Sequence, residues 1–241
     1  MGLTTRALLV LLGLATVAEA KSHKHPRAAS RSVTSTKHRA IATATAHERA
    51  AGRARNVPWQ GHLDNAAQFP EGEGYVIRRP ARSFGTPRTV ELVQQVVEGT
   101  IQEFPDRHVL AIGDFSAEHG GRITEHASHQ TGHDVDIGLY YTEKPAAYPE
   151  SFISATEDNL DCEATFELVD KFFETSDEPG GAQIIFLDFR VQGLLYTWAK
   201  DHGVDEKHLD RMFQFPHGRG SGDGFVRHWP NHDNHIHVRF R

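Results

Sequence analysis

Three segments of the chain place apolar residues at helical spacing. Residues 89–104 carry an apolar stripe on one face, and Thr89 is a candidate N-cap after Pro87. Residues 163–173 and 190–201 repeat this pattern. Their inward positions are Leu92, Val93, Val96, Val97, Thr100 and Ile101 in the first segment, Phe166, Val169, Phe172 and Phe173 in the second, and Val191, Leu194, Leu195 and Trp198 in the third. The pattern predicts three amphipathic helices.

Four short segments are typical of strands. They are residues 108–112, 133–140, 183–187 and 235–239. Strands and helices mix without strict alternation, which favours an α+β class. We therefore predict a single domain with a mostly antiparallel central sheet flanked by helices. No internal repeat is visible.

Two of the predicted strands carry polar residues at every second position. His235 and His237 share one face of the last strand, and Asp134 and Asp136 share one face of an earlier strand, because strand side chains alternate. The intervening positions are apolar: Val135, Ile137, Ile236 and Val238. If the two strands are neighbours, imidazoles and carboxylates meet in the same space above a buried face.

This arrangement predicts a metal site. Gly132 permits a tight turn that brings His129 back beside the strands. His129, Asp136 and His237 then supply two nitrogens and one oxygen, which leaves a fourth position for water, as in catalytic zinc sites. Zinc lowers the pKa of its bound water and polarises a carbonyl group.

Three further histidines are candidates for roles beside the metal. His235 is displaced by about 7 Å from His237 along the strand, which suits a general base. His232, on the turn entering the strand, orients His235, stabilises an oxyanion or contacts substrate; the sequence leaves these open. His126 either lines the cleft or is a further ligand. Asp134 is a candidate to orient a ligand imidazole.

Other polar residues have simpler interpretations. An isolated His-x-His or Asp-x-Asp pair is a weak signal. Together the two clusters are a stronger signal, because one supplies carboxylates and the other supplies a pair of imidazoles. His133 falls on the apolar parity, so we expect a packed or supporting role. We expect His217 and His228 to be solvated in a glycine-rich loop. Trp229 either walls the cleft or belongs to the core.

Several other chemistries find no support in the sequence. There is no His-Glu-x-x-His motif, no Gly-x-Ser-x-Gly turn, and no phosphate loop or dinucleotide fingerprint. The single cysteine, Cys162, cannot form an internal disulfide, and we interpret it as a small apolar residue rather than a nucleophile.

Charge and composition divide the chain into three parts. Residues 1–20 have the positive start, short apolar run and small-x-small end of a secretory signal peptide. Residues 21–56 carry nine Lys or Arg and one acid, and predict a disordered basic tether. Residues 57–241 carry 16 basic and 30 acidic residues, a net charge of −14, which argues against nucleic-acid binding. We expect no membrane association once the signal is removed.

The two polar clusters also match a known family. Residues 128–136 (SHQTGHDVD) and 231–239 (NHDNHIHVR) resemble the penicillin-insensitive murein endopeptidases. These are related to lysostaphin-like enzymes, D-Ala-D-Ala peptidases and the hedgehog domain. Residues 75–80 (YVIRRP), 84–87 (FGTP) and the strand before Gly113-Asp114 agree, so the resemblance spans about residues 57–241. Cysteines that some relatives pair are missing, the tether is longer, and His133 replaces a usually apolar residue.

The resemblance implies a periplasmic or secreted zinc-dependent hydrolase that acts on peptidoglycan peptide stems. Its expected reaction is cleavage of cross-links between D-alanine and a diamino acid. It implies the ligands His129, Asp136 and His237, the catalytic residue His235, and the cleft residues His126 and His232. Two alternatives remain: a D-Ala-D-Ala carboxypeptidase or dipeptidase, for which Arg122 or Arg239 would grip a carboxylate, and a non-catalytic zinc-stabilised binding module.

Overall fold

The structure is a computed structural model that describes residues 61–241. The predicted signal peptide and basic tether lie outside the described residues. Within the described part of the chain, no helix has the length and apolar character needed to cross a membrane.

A central six-stranded sheet and a two-stranded sheet form the β-structure. The strands are β1 Ala67–Gln68, β2 Tyr75–Ile77, β3 Phe84–Gly85, β4 Leu110–Ile112, β5 Asp134–Gly138, β6 Ala182–Phe186, β7 Val226–Arg227 and β8 His235–Phe240. The large sheet has the order β2-β4-β5-β8-β6-β7, and β1 pairs with β3. Its three inner pairings are antiparallel and its two outer pairings parallel. The predicted α+β fold with a mostly antiparallel central sheet is confirmed.

Four α-helices accompany the sheet in the described residues. They are α1 Pro87–Glu103, α2 Cys162–Glu174, α3 Phe189–Asp201 and α4 Glu206–Met212. The first three match the predicted helices to within two residues at either end. The predicted cap of α1 was wrong: Thr86 is the N-cap, and its side chain accepts a hydrogen bond from the Thr89 amide. Thr89 itself is buried.

Some elements lie outside the sequence pattern. The strands β1, β2, β3 and β7 have two or three residues each, too few to show a period. Helix α4 has seven residues and depends on Asp205, whose side chain accepts hydrogen bonds from two amides of its first turn. Two strands are shorter than predicted. Strand β4 starts after residue 108, and β5 starts after residue 133 and ends before residue 140, because regular pairing does not reach those residues.

The two faces of the central strands differ completely. The apolar set consists of Val135, Ile137, Ile236 and Val238, all fully buried in the core cluster that also contains most of the inward residues of α1, α2 and α3. The opposite face carries the acids of β5 and the histidines of β8. The alternation predicted from the sequence is therefore present, and core packing of one face fixes the register that exposes the other to the site.

Candidate metal centre

The pairing of β5 with β8 assembles the centre of the site. Asp136 lies directly opposite His237, and Gly138 opposite His235. Residues directly opposite in an antiparallel pair hold their Cβ atoms about 4.5–5.5 Å apart. The loop between β4 and β5 supplies His129 from the same side. The three residues that the sequence predicts as ligands are thus brought together.

Three donor atoms form a nearly equilateral triangle. Nε2 of His129 lies 3.2 Å from Oδ1 of Asp136 and 3.3 Å from Nδ1 of His237, and the third side, from His237 Nδ1 to Asp136 Oδ1, is 3.4 Å. Zinc–ligand bonds of about 2.0–2.1 Å in a tetrahedron require ligand–ligand separations of about 3.3–3.4 Å. The triangle therefore has the size of one face of a zinc coordination tetrahedron.

One oxygen of the Asp136 carboxylate is buried at this triangle without a hydrogen bond. Asp136 is 3% exposed, and its Oδ1 atom is buried without a hydrogen-bond partner. An unsatisfied buried carboxylate oxygen is costly. Oδ1 is also the atom nearest both imidazoles, so a cation bound between the three donors would satisfy it. The donor set and the orphaned oxygen both fit a metal ion.

The His129 ring is held by the backbone of the neighbouring strand end. Its Nδ1 donates to the carbonyl oxygen of Phe115 at 2.8 Å, which leaves Nε2 as the free donor atom. His129 adopts φ +61°, a left-handed conformation uncommon for residues other than glycine. Gly132 at φ +71° completes the turn, and a Cβ there would lie 2.8 Å from the Thr86 nitrogen.

The His237 ring is held by a buried carboxylate. Its Nε2 contacts Oδ1 of Asp134 at 2.8 Å, which leaves Nδ1 for the triangle. The same Oδ1 accepts a hydrogen bond from Arg239 Nε at 2.7 Å, and Oδ2 accepts one from the His129 amide at 3.3 Å. Asp134 therefore fixes one histidine by its ring and the other by its backbone, as the sequence suggested for the first of these.

His126 lies at the edge of the triangle. Its ring centroid is 4.2 Å from that of His129, and its Nδ1 lies 3.7 Å from Oδ2 of Asp136. The donor atoms of His126, His129 and Asp136 lie within 4.8 Å of one another and form a possible metal-binding group. The Nε2 atom of His126 contacts Oδ2 of Asp114 at 2.9 Å. Both expected roles, cleft residue and further ligand, agree with this position.

A second group of possible ligands overlaps the first. Asp114, Glu125 and His126 also bring donor atoms within 4.8 Å of one another. Arg79 contacts Oδ1 of Asp114 at 3.3 Å and Glu125 at 2.6 Å, and Arg82 contacts Oδ2 of Asp114 at 3.0 Å. Two guanidinium groups already balance the two carboxylates, so we interpret this group as an ion-pair network that holds His126.

His235 and His232 lie beside the triangle on the cleft side. Nε2 of His235 is 3.6 Å from Oδ1 of Asp136, while its Nδ1 contacts Oδ1 of Asn234 at 2.5 Å. The His232 ring centroid lies 4.8 Å from that of His235 and 5.7 Å from that of His237. Its Nδ1 contacts the carbonyl oxygen of Pro230 at 2.8 Å.

The electrostatics of the centre favour a positive charge between its donors. Burial opposes a charge on His129, but the Asp136 carboxylate outweighs it and raises the pKa of His129 to about 9. Burial alone would raise the pKa of Asp136, yet the neighbouring histidines hold it well below its usual value. Burial and the charge on His129 lower the pKa of His237. A metal cation competes with protons for the same sites.

The outer histidines have a different charge preference. Burial lowers the pKa of His235 to about 4, although Asp136 opposes the shift. Burial also lowers the pKa of His232. Both rings are therefore neutral in the absence of a bound ion, and each can accept a proton at the nitrogen that its own hydrogen bond leaves free.

A cleft of about 540 Å³ opens over the triangle. Its lining includes His126, Asp136, His232, His235 and His237. Further lining residues give it an aromatic and polar wall: Phe186, Trp229, Asn231 and Arg239. The cleft thus gives all of the predicted site residues except the fully buried His129 direct access to a substrate.

The remaining sequence expectations have mixed outcomes. Trp229 is 56% exposed and belongs to the cleft rather than the core. His133 lies outside the triangle and is partly buried. His217 is exposed as expected. The expectation for His228 was wrong: its Nδ1 accepts a hydrogen bond from the Phe189 amide at 3.0 Å, so it anchors the start of α3.

The sequence did not reveal the residues that hold or pack against the site histidines. Asp114 and the carbonyl group of Phe115, at the end of β4, hold His126 and His129. Phe152 stacks on His235, and Phe186 packs edge-on against His237. A carboxylate directly after an apolar strand was a visible signal for Asp114, but nothing in the local pattern indicated the aromatic contacts.

Two comparisons with known proteins bear on this site. A sequence profile described as penicillin-insensitive murein endopeptidase matches residues 57–171. A penicillin-insensitive murein endopeptidase of Haemophilus influenzae is 27% identical over 184 residues, which cover 70% of this chain and 56% of that relative. The chain therefore spans a little over half the length of the relative. The matched range contains His126, His129 and Asp136, and the histidines of β8 lie beyond it.

Proposed function

The chain belongs to the penicillin-insensitive murein endopeptidase family, and from this premise we propose that it is a zinc-dependent peptidase of bacterial cell wall. Its substrate is the cross-linked peptide of peptidoglycan, and the bond it hydrolyses joins D-alanine to the diamino acid of a neighbouring stem. It works in the periplasm or outside the cell, in agreement with the signal peptide that the sequence predicts for residues 1–20.

One observation carries the proposal. The atoms His129 Nε2, Asp136 Oδ1 and His237 Nδ1 lie 3.2–3.4 Å apart at the floor of an open cleft. Each histidine has its other nitrogen held by a protein acceptor, which is the arrangement that prepares an imidazole for a metal. Three protein ligands with one side open to a cleft are typical of a catalytic rather than a structural zinc site.

The residues around the triangle have separate tasks in hydrolysis. A zinc ion held by His129, Asp136 and His237 would supply a polarised water and a Lewis acid for the scissile carbonyl group. His235 accepts the proton of the attacking water at Nε2, because its Nδ1 proton is committed to Asn234. His126 and His232 flank the same space and bind the substrate or the developing oxyanion. His126 is also a candidate for a fourth metal ligand.

The rest of the cleft binds the peptide stem. Trp229 and Phe186, with ring centroids 5.5 Å apart, offer apolar surface. Arg239 adds positive charge at the cleft wall, although its Nε is bound to Asp134. The acidic charge of residues 57–241 matches a peptide substrate better than a nucleic acid.

Digestion of purified cross-linked peptidoglycan tests the proposal. The mature protein is incubated with the substrate as purified, after chelator treatment, and after chelator followed by zinc. We expect cross-linked dimers to convert to monomers, the chelator to stop this, and zinc to restore it. Conversion that is insensitive to the chelator contradicts the zinc assignment.

The product pattern separates the alternatives. Release of free D-alanine alone, with dimers intact, favours a D-Ala-D-Ala carboxypeptidase or dipeptidase that uses Arg239 for the terminal carboxylate. No product, with zinc bound in equimolar amount, favours a non-catalytic zinc-stabilised module. Either result contradicts the endopeptidase assignment while leaving the metal site intact.

A further inference from the structure

The His235 ring lies on a stack that the metal centre does not explain. The Phe152 ring is nearly parallel to it, at 14°, with ring centroids 4.9 Å apart. On Phe152 itself, the guanidinium carbon of Arg78 lies 4.1 Å from the ring centroid. Arg78 directly follows β2, Phe152 lies in the loop after β5 and His235 begins β8, so the stack is a tertiary feature.

Both supporting side chains are anchored. Arg78 donates from Nη2 and Nε to the carbonyl oxygen of Glu150, at 2.8 and 3.2 Å, and so binds the loop that carries Phe152. The backbone nitrogen of Arg78 donates to Ile112 at the end of β4. Past Phe152, the Ala155 amide donates to the carbonyl oxygen of Asp233 at 2.7 Å. The loop is thereby fixed to both sides of the site.

The Phe152 ring also lies close against the backbone of Gly113. A Cβ atom at Gly113 would lie 2.8 Å from Cζ of Phe152 and 3.0 Å from Cβ of Asp136. Only glycine at this position lets the ring reach the backbone beside the metal centre. Phe152 does not line the cleft. Phe152 therefore contacts the site through the ring of His235 rather than through a substrate.

We propose that Phe152, held by Arg78, is a positioning residue that fixes the plane of the His235 imidazole. The hydrogen bond from Nδ1 to Asn234 fixes one point of the ring, and free rotation about the side-chain bonds would still swing Nε2 away from Asp136. Stacking on Phe152 removes that freedom. This inference rests on the proposed function, because it matters for the proton transfer that we assign to His235.

Steady-state kinetics on a soluble cross-linked muropeptide dimer test the proposal. In Phe152→Leu we expect kcat to fall roughly tenfold or more with KM unchanged, since small misplacements of a catalytic group are costly. In Arg78→Met, which loses the guanidinium group, kcat falls by a smaller factor. Zinc content stays equimolar in both variants.

The matched control is a second phenylalanine with an arginine over its ring. Phe104 is half-buried, and the guanidinium carbon of Arg107 lies 5.6 Å from its ring centroid, away from the cleft. Phe104→Leu is expected to leave kcat unchanged. An equal fall of kcat in Phe104→Leu and Phe152→Leu would reduce the effect to general loss of packing and overturn the proposal.

An NMR measurement is independent of catalysis. The ring current of Phe152 shifts the ring proton signals of His235 upfield, and we assign these signals by their loss in His235→Gln. The shift should disappear in Phe152→Leu and persist in Phe104→Leu. An unchanged His235 signal in Phe152→Leu, unchanged kinetics, or a rise of KM alone overturns the positioning role. Wild-type protein that shows the shift but cleaves no dimer contradicts the proposed function instead.

Discussion

His108 lies just before β4 and His129 lies in the loop between β4 and β5, and the two show how differently one residue type behaves. His108 is surrounded by the rings of Tyr140, Tyr141 and Tyr148, with centroids 5.0–5.8 Å away. Its Nε2 accepts a hydrogen bond from the Tyr141 amide, and its Nδ1 lies 2.9 Å from the carbonyl oxygen of Val109. Burial lowers the pKa of His108.

His129 is fully buried, whereas His108 is partly buried. His129 also has one nitrogen bound to a carbonyl oxygen, yet its pKa is raised. The difference is Asp136, whose carboxylate lies 3.2 Å from the free nitrogen. Both nitrogens of His108 are satisfied by neutral backbone groups, so His108 is a structural residue. A nearby orphaned carboxylate, rather than burial or a hydrogen-bonded ring, distinguishes the candidate metal centre.

The largest expected effect comes from removing one donor of the triangle. His237→Ala should lose both zinc and hydrolysis, because two remaining donors and an unpaired Asp136 no longer hold the ion. The loss of affinity should exceed the roughly 10–100-fold typical of outer partners. Zinc is measured by competition with a chelator, and hydrolysis by dimer cleavage.

The control for this variant is His208→Ala. His208 contacts Asp170 at 2.6 Å, which reproduces a histidine–carboxylate contact away from the cleft. We expect zinc content and activity to stay at wild-type values. Retained zinc affinity in His237→Ala would remove His237 from the ligand set.

A second variant separates binding from chemistry within the site. His235→Ala should keep zinc and lower kcat by about 10²–10⁴-fold, the usual contribution of a general base. The measurement is zinc content together with kcat on the same preparation. Full activity in this variant would show that the base assignment is wrong.

A third change removes the Asp134 carboxylate that holds the His237 ring and leaves the proposed metal ligand itself in place. Asp134→Asn keeps the size of the side chain but loses the carboxylate shared by His237, Arg239 and the His129 amide. We expect zinc affinity to fall about 10–100-fold. The matched control is Asp170→Asn, because Asp170 makes a similar contact with His208 away from the cleft. Equal affinities in the two variants would contradict the supporting role of Asp134.

The smallest expected effect tests the other side of the comparison, at His108. Because its pKa is lowered in the folded state, the unfolded chain takes up a proton first as the pH falls below the ordinary histidine value of about 6.5. The free energy of unfolding should therefore decrease from pH 7 towards pH 5. In His108→Gln, which cannot titrate, this decrease should be smaller.

Urea unfolding of metal-free protein at a series of pH values measures the difference between the two proteins. Both contain the same site histidines, whose titration cancels in the comparison. Parallel curves for wild type and His108→Gln would show that His108 is not held neutral by the fold.

Much of the fold was predictable because its signals are local. The three long helices and the strands β4, β5, β6 and β8 follow from apolar spacing. The two-residue strands and α4 were not predictable, since they depend on pairing partners and on a cap at Asp205. The cap of α1 was misassigned by three residues, because Thr86 and Thr89 both precede or begin the apolar stripe and only the backbone angles distinguish them.

The sequence by itself determined which residues face the same way. Strand alternation put His235 with His237 and Asp134 with Asp136, and the buried Val135 and Ile236 made those faces unambiguous. The tertiary structure decided what each face meets. The register that sets Asp136 opposite His237 and the left-handed turn at His129 create the triangle, and the Phe152 stack forms across three elements. Such contacts join residues far apart in the chain, so no local periodicity records them.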